Sequence, residues 1–341
     1  MKICIYGAGA IGGFLAHGLA QVPGVELSLI ARGAHLQALR ERGLTLIRDG
    51  RSSSAAVAAS DDARDFGAQD YVILGLKAHQ AWEAAEALGP LLGARTAVVT
   101  CQNGVPWWYF HKLGGAFEGC RLATVDPQDR QWRAIGPERT IGCVVYPATE
   151  ILEPGVIKHT YGDKFALGEP DGTLSTRGQA LAAALEAGGF KAPLLEDIRS
   201  ELWLKLWGNL CFNPISALTR ATLDKVATDP GTRALASAMM DEAQEIATAF
   251  GASFRVDRER RIAGAAKVGA HRTSMLQDLE RGRALEIDAL VGAVQEMGRI
   301  AGLATPTIDF VLALVCQLGR SSGLYPTFPE KLVQPAAVAA A

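Results

Sequence analysis

Lys205, Asn209 and Asn213 stand four residues apart in the run Leu202-Trp203-Leu204-Lys205-Leu206-Trp207-Gly208-Asn209-Leu210-Cys211-Phe212-Asn213. On a helix that spacing puts all three polar side chains on one face, with Leu, Trp and Phe on the others. An ammonium crowded by large apolar groups pays a desolvation penalty unless it meets a partner or a substrate. A lysine so placed can stabilise and then protonate an oxygen on which negative charge develops, and the two amides can hydrogen-bond what it acts on. The spacing alone also allows a lysine at the rim of a core helix, with both asparagines bonded to neighbouring backbone.

A second constellation lies at the start of the chain. Gly7-Ala8-Gly9-Ala10-Ile11-Gly12 follows the apolar, β-prone run Lys2 to Tyr6 and precedes the helical pattern Phe14 to Val22. In a strand-to-helix turn, Gly7 permits the tight bend, Gly9 lets backbone approach a pyrophosphate, and Gly12 lets helix pack on strand. The phosphates then rest on the helix N-terminus. After the second strand pattern, Val25 to Ile30, an NAD site would carry an acid for the ribose hydroxyls, but here Ala31-Arg32-Gly33 follows. A guanidinium can grip a 2′-phosphate that a carboxylate would repel, so the reading favours NADPH. Arg40 and Arg42 are further candidates for that phosphate, and a solvated loop arginine is the alternative for Arg32.

The elements that must position these groups divide the chain in two. Strand patterns at Lys2 to Tyr6, Val25 to Ile30, Tyr71 to Leu76 and Thr96 to Cys101 alternate with helical patterns at Phe14 to Val22, His35 to Arg42 and Gln80 to Leu92. A hairpin is expected from Leu44 to Ile47 with Ala55 to Ala58. Further strands are expected at Leu122 to Val125, Ile141 to Tyr146, Val156 to His159 and Phe165 to Leu167, extending the sheet antiparallel. The pattern predicts an α/β fold with an N-terminal Rossmann-type doubly wound domain. After a helix from Ser175 to Ala187 and a short strand near Phe190 to Pro193, helical periodicity takes over, predicting an all-helical C-terminal domain. The expected division is 1–195, 196–333 and a loose tail, 334–341. Asn213-Pro214 is expected to end or kink its helix, and Ser274 with Gln277 fits a capping box.

At 341 residues, 49% hydrophobic and 21% charged, the chain can build two cores, and a net charge of −2 gives no basic field for nucleic acid. Six scattered cysteines and six histidines show neither C-x-x-C nor H-E-x-x-H spacing, so reduced thiols and no metal are expected. Cys101 or Cys211 as a nucleophile would need a partner base that the sequence does not place. With no apolar run long enough for a membrane span and no room for a signal peptide before the first strand, the chain reads as a soluble cytoplasmic protein.

Taken in order, the glycine turn, Gly75-Leu76-Lys77-Ala78-His79-Gln80, Gln102-Asn103-Gly104, the Lys205/Asn209/Asn213 helix, and Ser274-Met275-Leu276-Gln277-Asp278 with Glu286-Ile287-Asp288 resemble the ketopantoate reductase family, the 2-dehydropantoate 2-reductases. The match runs through nearly the whole chain. The resemblance implies an oxidoreductase that reduces 2-dehydropantoate to pantoate with NADPH, on the pantothenate route to coenzyme A. It places the site between the two domains. Gly7, Ala8, Gly9, Ala10, Ile11, Gly12 and Arg32 would then hold NADP, and Lys77 and Asn103 would line its nicotinamide end. Lys205 would be the general acid, while Asn103, Asn209, Asn213 and Ser274 would bind substrate. Glu286 would orient Lys205 or the cofactor, supported by Asp278. Such a chain takes a small 2-oxo acid, binds neither nucleic acid nor membrane, and could pair as a homodimer.

The chain departs from the family pattern at Pro106-Trp107-Trp108-Tyr109-Phe110-His111 and over Asp126 to Thr140. The aromatics could wall the pocket or plug a domain or subunit contact, which leaves the native 2-oxo acid open. Another hydroxyacid dehydrogenase of the same Rossmann-plus-helical build, or a catalytically silent NADPH-binding sensor, are the competing readings. Arg32→Ala should weaken NADPH binding roughly 10- to 150-fold while barely changing NADH binding. Fluorescence titration with both cofactors checks this, and equal weakening would show that Arg32 does not read the 2′-phosphate.

Overall fold

The computed structural model describes residues 1–326, so the expected 334–341 tail lies outside the described residues. The described residues fold into two compact units, Met1–Arg121 with Gln128–Lys205, and Leu122–Pro127 with residues 206–326.

In the first unit the alternating pattern becomes β1 (Lys2–Tyr6), α1 (Ala10–Leu19), β2 (Glu26–Ile30), α2 (Gly33–Arg42), β3 (Leu44–Arg48), β4 (Arg51–Ala55), β5 (Ala58–Ser60), β6 (Gln69–Leu74), α3 (Ala78–Ala84) and β7 (Leu92–Thr100). Then follow α4 (Arg130–Ala134), β8 (Thr140–Val145), β9 (Ala148–Glu153), β10 (Val156–Tyr161), β11 (Phe165–Gly168) and α5 (Thr176–Ala187). The main sheet has seven strands in the order β11-β8-β7-β6-β1-β2-β5. All its pairings are parallel except β11 with β8.

Two expectations change. The hairpin partner of β3 is β4, while β5 adds a parallel edge to β2. The later strands do not all extend the main sheet antiparallel: β8 joins it parallel, and β9 and β10 form a separate four-stranded sheet, β4-β3-β10-β9. Helix α1 lies against that second sheet. A Cβ on Gly13 would come within 2.7 Å of Ile157 Cγ1, and Phe14 stacks on His159 at 4.6 Å. The core around Ile3, Ile5, Phe14, Leu15, Leu29, Ile73 and Phe165 therefore buries α1 and the inner strands together. Lys191 and Leu194 form only isolated bridges to Lys164 and Leu167, in place of the short strand expected near Phe190 to Pro193.

Helix α6 (Ile198–Thr219) begins in the first unit, and its opening turns are tied there. Arg199 donates to the carbonyls of Tyr109 at 2.9 Å and of Pro170 and His111 at 2.6 Å. The Glu201 carboxylate, nearly fully buried, accepts from Tyr146 Oη at 2.7 Å and Lys164 Nζ at 2.6 Å. Trp203 Nε1 donates to Tyr109 Oη at 2.7 Å. Trp107, Trp108, Tyr109 and Phe110 are at most 2% exposed, and Trp108 Nε1 donates to Thr100 Oγ1 at 2.9 Å. The aromatic run is thus part of a core and is not available as a subunit contact.

The second unit is helical: α7 (Leu223–Thr228), α8 (Pro230–Ala249), α9 (Arg258–Lys267), α10 (Ser274–Glu280), α11 (Ala293–Ala301) and α12 (Pro306–Ser321), with a π-helical turn at Asp288–Gly292. Leu122 to Val125 is a turn and not the expected strand. Its Ala123 and Thr124 amides donate to the Glu296 carboxylate at 2.8 and 2.9 Å, which explains its grouping with this unit. Pro214 does not end α6. The turns around it, from Leu210 to Ala217, are buried, and that packing offsets the hydrogen bond proline removes. Tyr109→Phe should strip the buried Trp203 N–H of its acceptor and lower stability by about 1–3 kcal/mol. Urea unfolding of the two proteins measures it, and an unchanged midpoint would refute that role for the bond.

Candidate functional site

The glycine turn separates into residues the fold needs and one it does not. Gly7 has φ +100°, and a Cβ there would fall 2.6 Å from Leu76 Cδ2; a Cβ on Gly12 would overlap the Gly7 carbonyl oxygen. Both positions are glycine for internal reasons. Gly9 is different: its backbone is extended, and a Cβ would meet nothing closer than Gly75 O at 3.8 Å. Nothing inside the protein requires glycine there, so the open space suits a group that must touch the backbone at the start of α1. A cavity of about 360 Å³ opens beside it, lined by Gly7, Ala8, Gly9, Arg32, His35 and Gln80 among others.

Arg32 caps the start of α2, is exposed, and lies beside the Tyr6 hydroxyl, whose pKa burial raises and the guanidinium opposes. Arg40 donates to the Ala59 carbonyl at 3.0 Å and Arg42 to the Pro154 carbonyl at 3.3 Å. The residues fit a dinucleotide whose ribose carries an anionic substituent. Lys77 precedes α3, where its amide donates to Gln80 Oε1 at 3.2 Å.

Lys205 and Asn103, far apart in sequence, meet in the same unit. Lys205 Nζ donates to Asn103 Oδ1 at 2.6 Å and also to the carbonyl of Val145, the last residue of β8. Asn103 follows β7 in a turn that Gly104, at φ +92°, makes possible. Asn103 Oδ1 and the Val145 carbonyl thus help to aim the half-buried ammonium. In the second unit, Asn213, 4% exposed, donates from Nδ2 to Ser274 Oγ at 3.1 Å. The capping box expected from Ser274 is corrected: Thr273 is the cap, its hydroxyl accepting from Leu276 N at 3.4 Å, which leaves the Ser274 side chain out of capping. Asn209 is half-buried on α6, Asp278 is buried on α10, and Glu286 is half-buried in the segment before the π-helical turn.

Two family models cover most of the chain: that described as ketopantoate reductase PanE/ApbA over residues 3–172, and its C-terminal counterpart over 197–318. The chain belongs to the ketopantoate reductase family. It is similar to a 2-dehydropantoate 2-reductase of Mesorhizobium japonicum, 57% identical over 95% of this chain and 100% of that one. A solved structure from Ralstonia solanacearum MolK2 superposes with a TM-score of 0.91 at 42% identity, covering 95% and 99% of the two chains. The fold extends to a D-mandelate dehydrogenase solved with NADH and anilino(oxo)acetate, at TM-score 0.80 and 22% identity over 95% and 100%. Oxidoreductase chemistry on a two-part Rossmann and helical frame is the family's, and this chain has that frame.

Sequence reasoning missed the Val145 carbonyl, a main-chain acceptor that no residue type can announce. It also missed His35, whose Nδ1 accepts from Gly155 N at 3.1 Å while its ring borders the cavity. The segment Arg32 to Arg40 contained that signal as a histidine on the first turn of the helix after the expected phosphate reader.

Among the described residues no helix is long and apolar enough to cross a membrane, and no cluster of three or more His, Cys, Asp or Glu could hold a metal. The thiols are poor nucleophiles. A hydrogen bond with Cys143 and burial raise Cys101 well above the usual thiol range, and burial does the same for Cys211 and pushes Cys4 up to about 11. Iodoacetamide labelling of the native protein should therefore reach half-buried Cys120 first, and Cys101 and Cys211 only on unfolding. Mass-spectrometric mapping checks the order; Cys101 or Cys211 reacting like a free thiol would reopen the nucleophile reading.

Proposed function

We propose that this chain is an NADPH-dependent 2-dehydropantoate 2-reductase, with residues 1–195 as the dinucleotide-binding domain and the helical remainder as the substrate and catalytic domain. The observation that carries the reading is the Lys205 ammonium held by Asn103 Oδ1 at 2.6 Å, in the unit that also contains the glycine turn and Arg32. The nicotinamide, when bound, supplies the hydride to the carbonyl carbon of the 2-oxo acid.

Lys205 donates a hydrogen bond to the carbonyl oxygen, stabilises the charge that develops on it and passes it a proton, giving the 2-hydroxy acid. Asn103 cannot take that proton, so it orients the donor without competing for it. Asn209, Asn213 and Ser274 hydrogen-bond the substrate's hydroxyl and carboxylate, Lys77 and Asn103 line the nicotinamide end, and Glu286 orients the reacting groups. The product, pantoate, places the reaction in pantothenate and coenzyme A synthesis. The chain works in the cytoplasm and pairs as a homodimer, for which exposed Phe310 and Leu314, four apart on α12, offer apolar surface.

Ketopantoate set against a panel of other 2-oxo acids, read by NADPH oxidation, tests the substrate. A strong preference for another acid points to a different hydroxyacid dehydrogenase, and tight cofactor binding with no turnover points to a sensor. Lys205→Ala should lower kcat by about 10²- to 10⁴-fold with NADPH affinity nearly unchanged, while Asn213→Ala or Ser274→Ala should mainly raise KM. A folded Lys205→Ala protein that keeps most of its kcat, with hydride transfer shown to be rate-limiting, would rule out the acid.

A further inference from the structure

Glu286 follows a stretch outside regular structure, in which Arg283 N donates to Asp278 O at 2.8 Å. Arg281 to Ala284 are exposed, and the chain from Arg283 to Glu286 belongs to no helix or strand. A carboxylate needed at one place cannot be left on such a segment unless something fixes the backbone on each side of it.

Two such fixings, one on each side of Glu286, come from one short piece of chain beyond α12. That helix ends with Gly323 at φ +67°, where Leu324 N donates to Gly319 O at 2.8 Å and Gly323 N to Arg320 O at 3.0 Å. This pattern reverses the chain at a helix C-terminus. The reversal delivers Leu324 O to Leu285 N at 3.0 Å, one residue before Glu286. It also delivers Tyr325 Oη to Asp288 Oδ1 at 2.5 Å, two residues after it.

The tyrosine ring has a made place: a Cβ on Gly319 would lie 2.6 Å from Tyr325 Cβ and 3.3 Å from Ile287 Cδ1, so only glycine leaves room. Asp288 starts the π-helical turn, a local irregularity that recurs at functional sites. Burial pushes the carboxyl of half-buried Asp288 up, opposed in part by the Tyr325 hydroxyl and the Arg320 charge.

We infer that Tyr325 is a positioning residue for Glu286, clamping the backbone around it through Asp288 while Leu324 holds the other side. The inference rests on the proposed role of Glu286. The ring does not act on substrate; its hydroxyl decides whether the segment that carries Glu286 has one arrangement or several.

The test compares Glu286→Gln, Tyr325→Phe and the double variant in the full-length protein, measuring kcat, KM for the 2-oxo acid, NADPH Kd and thermal midpoint. Tyr325→Phe keeps the ring in its notch, so the fold is retained. It should shift the same parameter that Glu286→Gln shifts, by about tenfold, and the double variant should be no worse than Glu286→Gln alone. Asp288→Asn, which exchanges a charged acceptor for a neutral one, should move that parameter the same way by less. If Glu286→Gln impairs the enzyme but Tyr325→Phe only lowers the thermal midpoint, or if the two effects add, the clamp is refuted and the reading of Glu286 stands. A Glu286→Gln enzyme with unchanged kinetics would overturn both.

Discussion

The ammonium of Lys205 is the group around which the first unit is arranged. A positive charge in a half-buried place must be given oxygen to donate to. Asn103 Oδ1 and the Val145 carbonyl meet that condition. Their positions follow from the sheet, since Asn103 leaves the end of β7 and Val145 ends β8, and these strands pair side by side. A second requirement is the angular setting of α6. Arg199, Glu201 and Trp203 all anchor its opening turns to the same unit, so the lysine one turn later arrives with little freedom. The aromatic run contributes here by giving Trp203 its acceptor and Arg199 two of its three.

The nucleotide end obeys a different constraint, that of close approach. Gly7 and Gly12 are demanded by the meeting of strand and helix, whatever the protein binds. Gly9 is demanded by nothing within the molecule, and it is the one whose surface faces open space beside Arg32 and His35. The motif thus combines glycines that the fold requires with one that it does not, and they can be told apart by asking what a methyl group would strike.

In the helical unit, small exchanges of capping and packing decide which polar groups are available. Thr273 takes over the cap of α10, so the Ser274 hydroxyl can meet Asn213. The Glu242 carboxylate accepts from Thr307 N at 2.7 Å and Ile308 N at 2.9 Å, capping α12 from α8 without using a local side chain. The first is a local and the second a tertiary solution to the unpaired amides at a helix start.

The sequence by itself determined the parts whose cause is local. The short apolar runs of β1, β2, β6 and β7 alternate with helical patterns, so the doubly wound domain followed from the order of elements, and the all-helical second half followed from the loss of strand signals after Pro193. The glycine turn and the Lys205/Asn209/Asn213 face were legible because spacing maps directly onto backbone geometry. Other features needed the folded chain. By pattern alone β3 could pair with β4 or with β5, and the tight Asp49-Gly50 reversal, with both residues at positive φ, selects β4. The second sheet, the burial of Trp107 to Phe110 and the passage of α6 through Pro214 depend on packing between segments distant in sequence. So do the Val145 carbonyl at Lys205 and the Tyr325 hydroxyl at Asp288. Local patterns record what a residue does to its own backbone, whereas which acceptor a buried donor finds is decided only when tertiary contacts bring one to it.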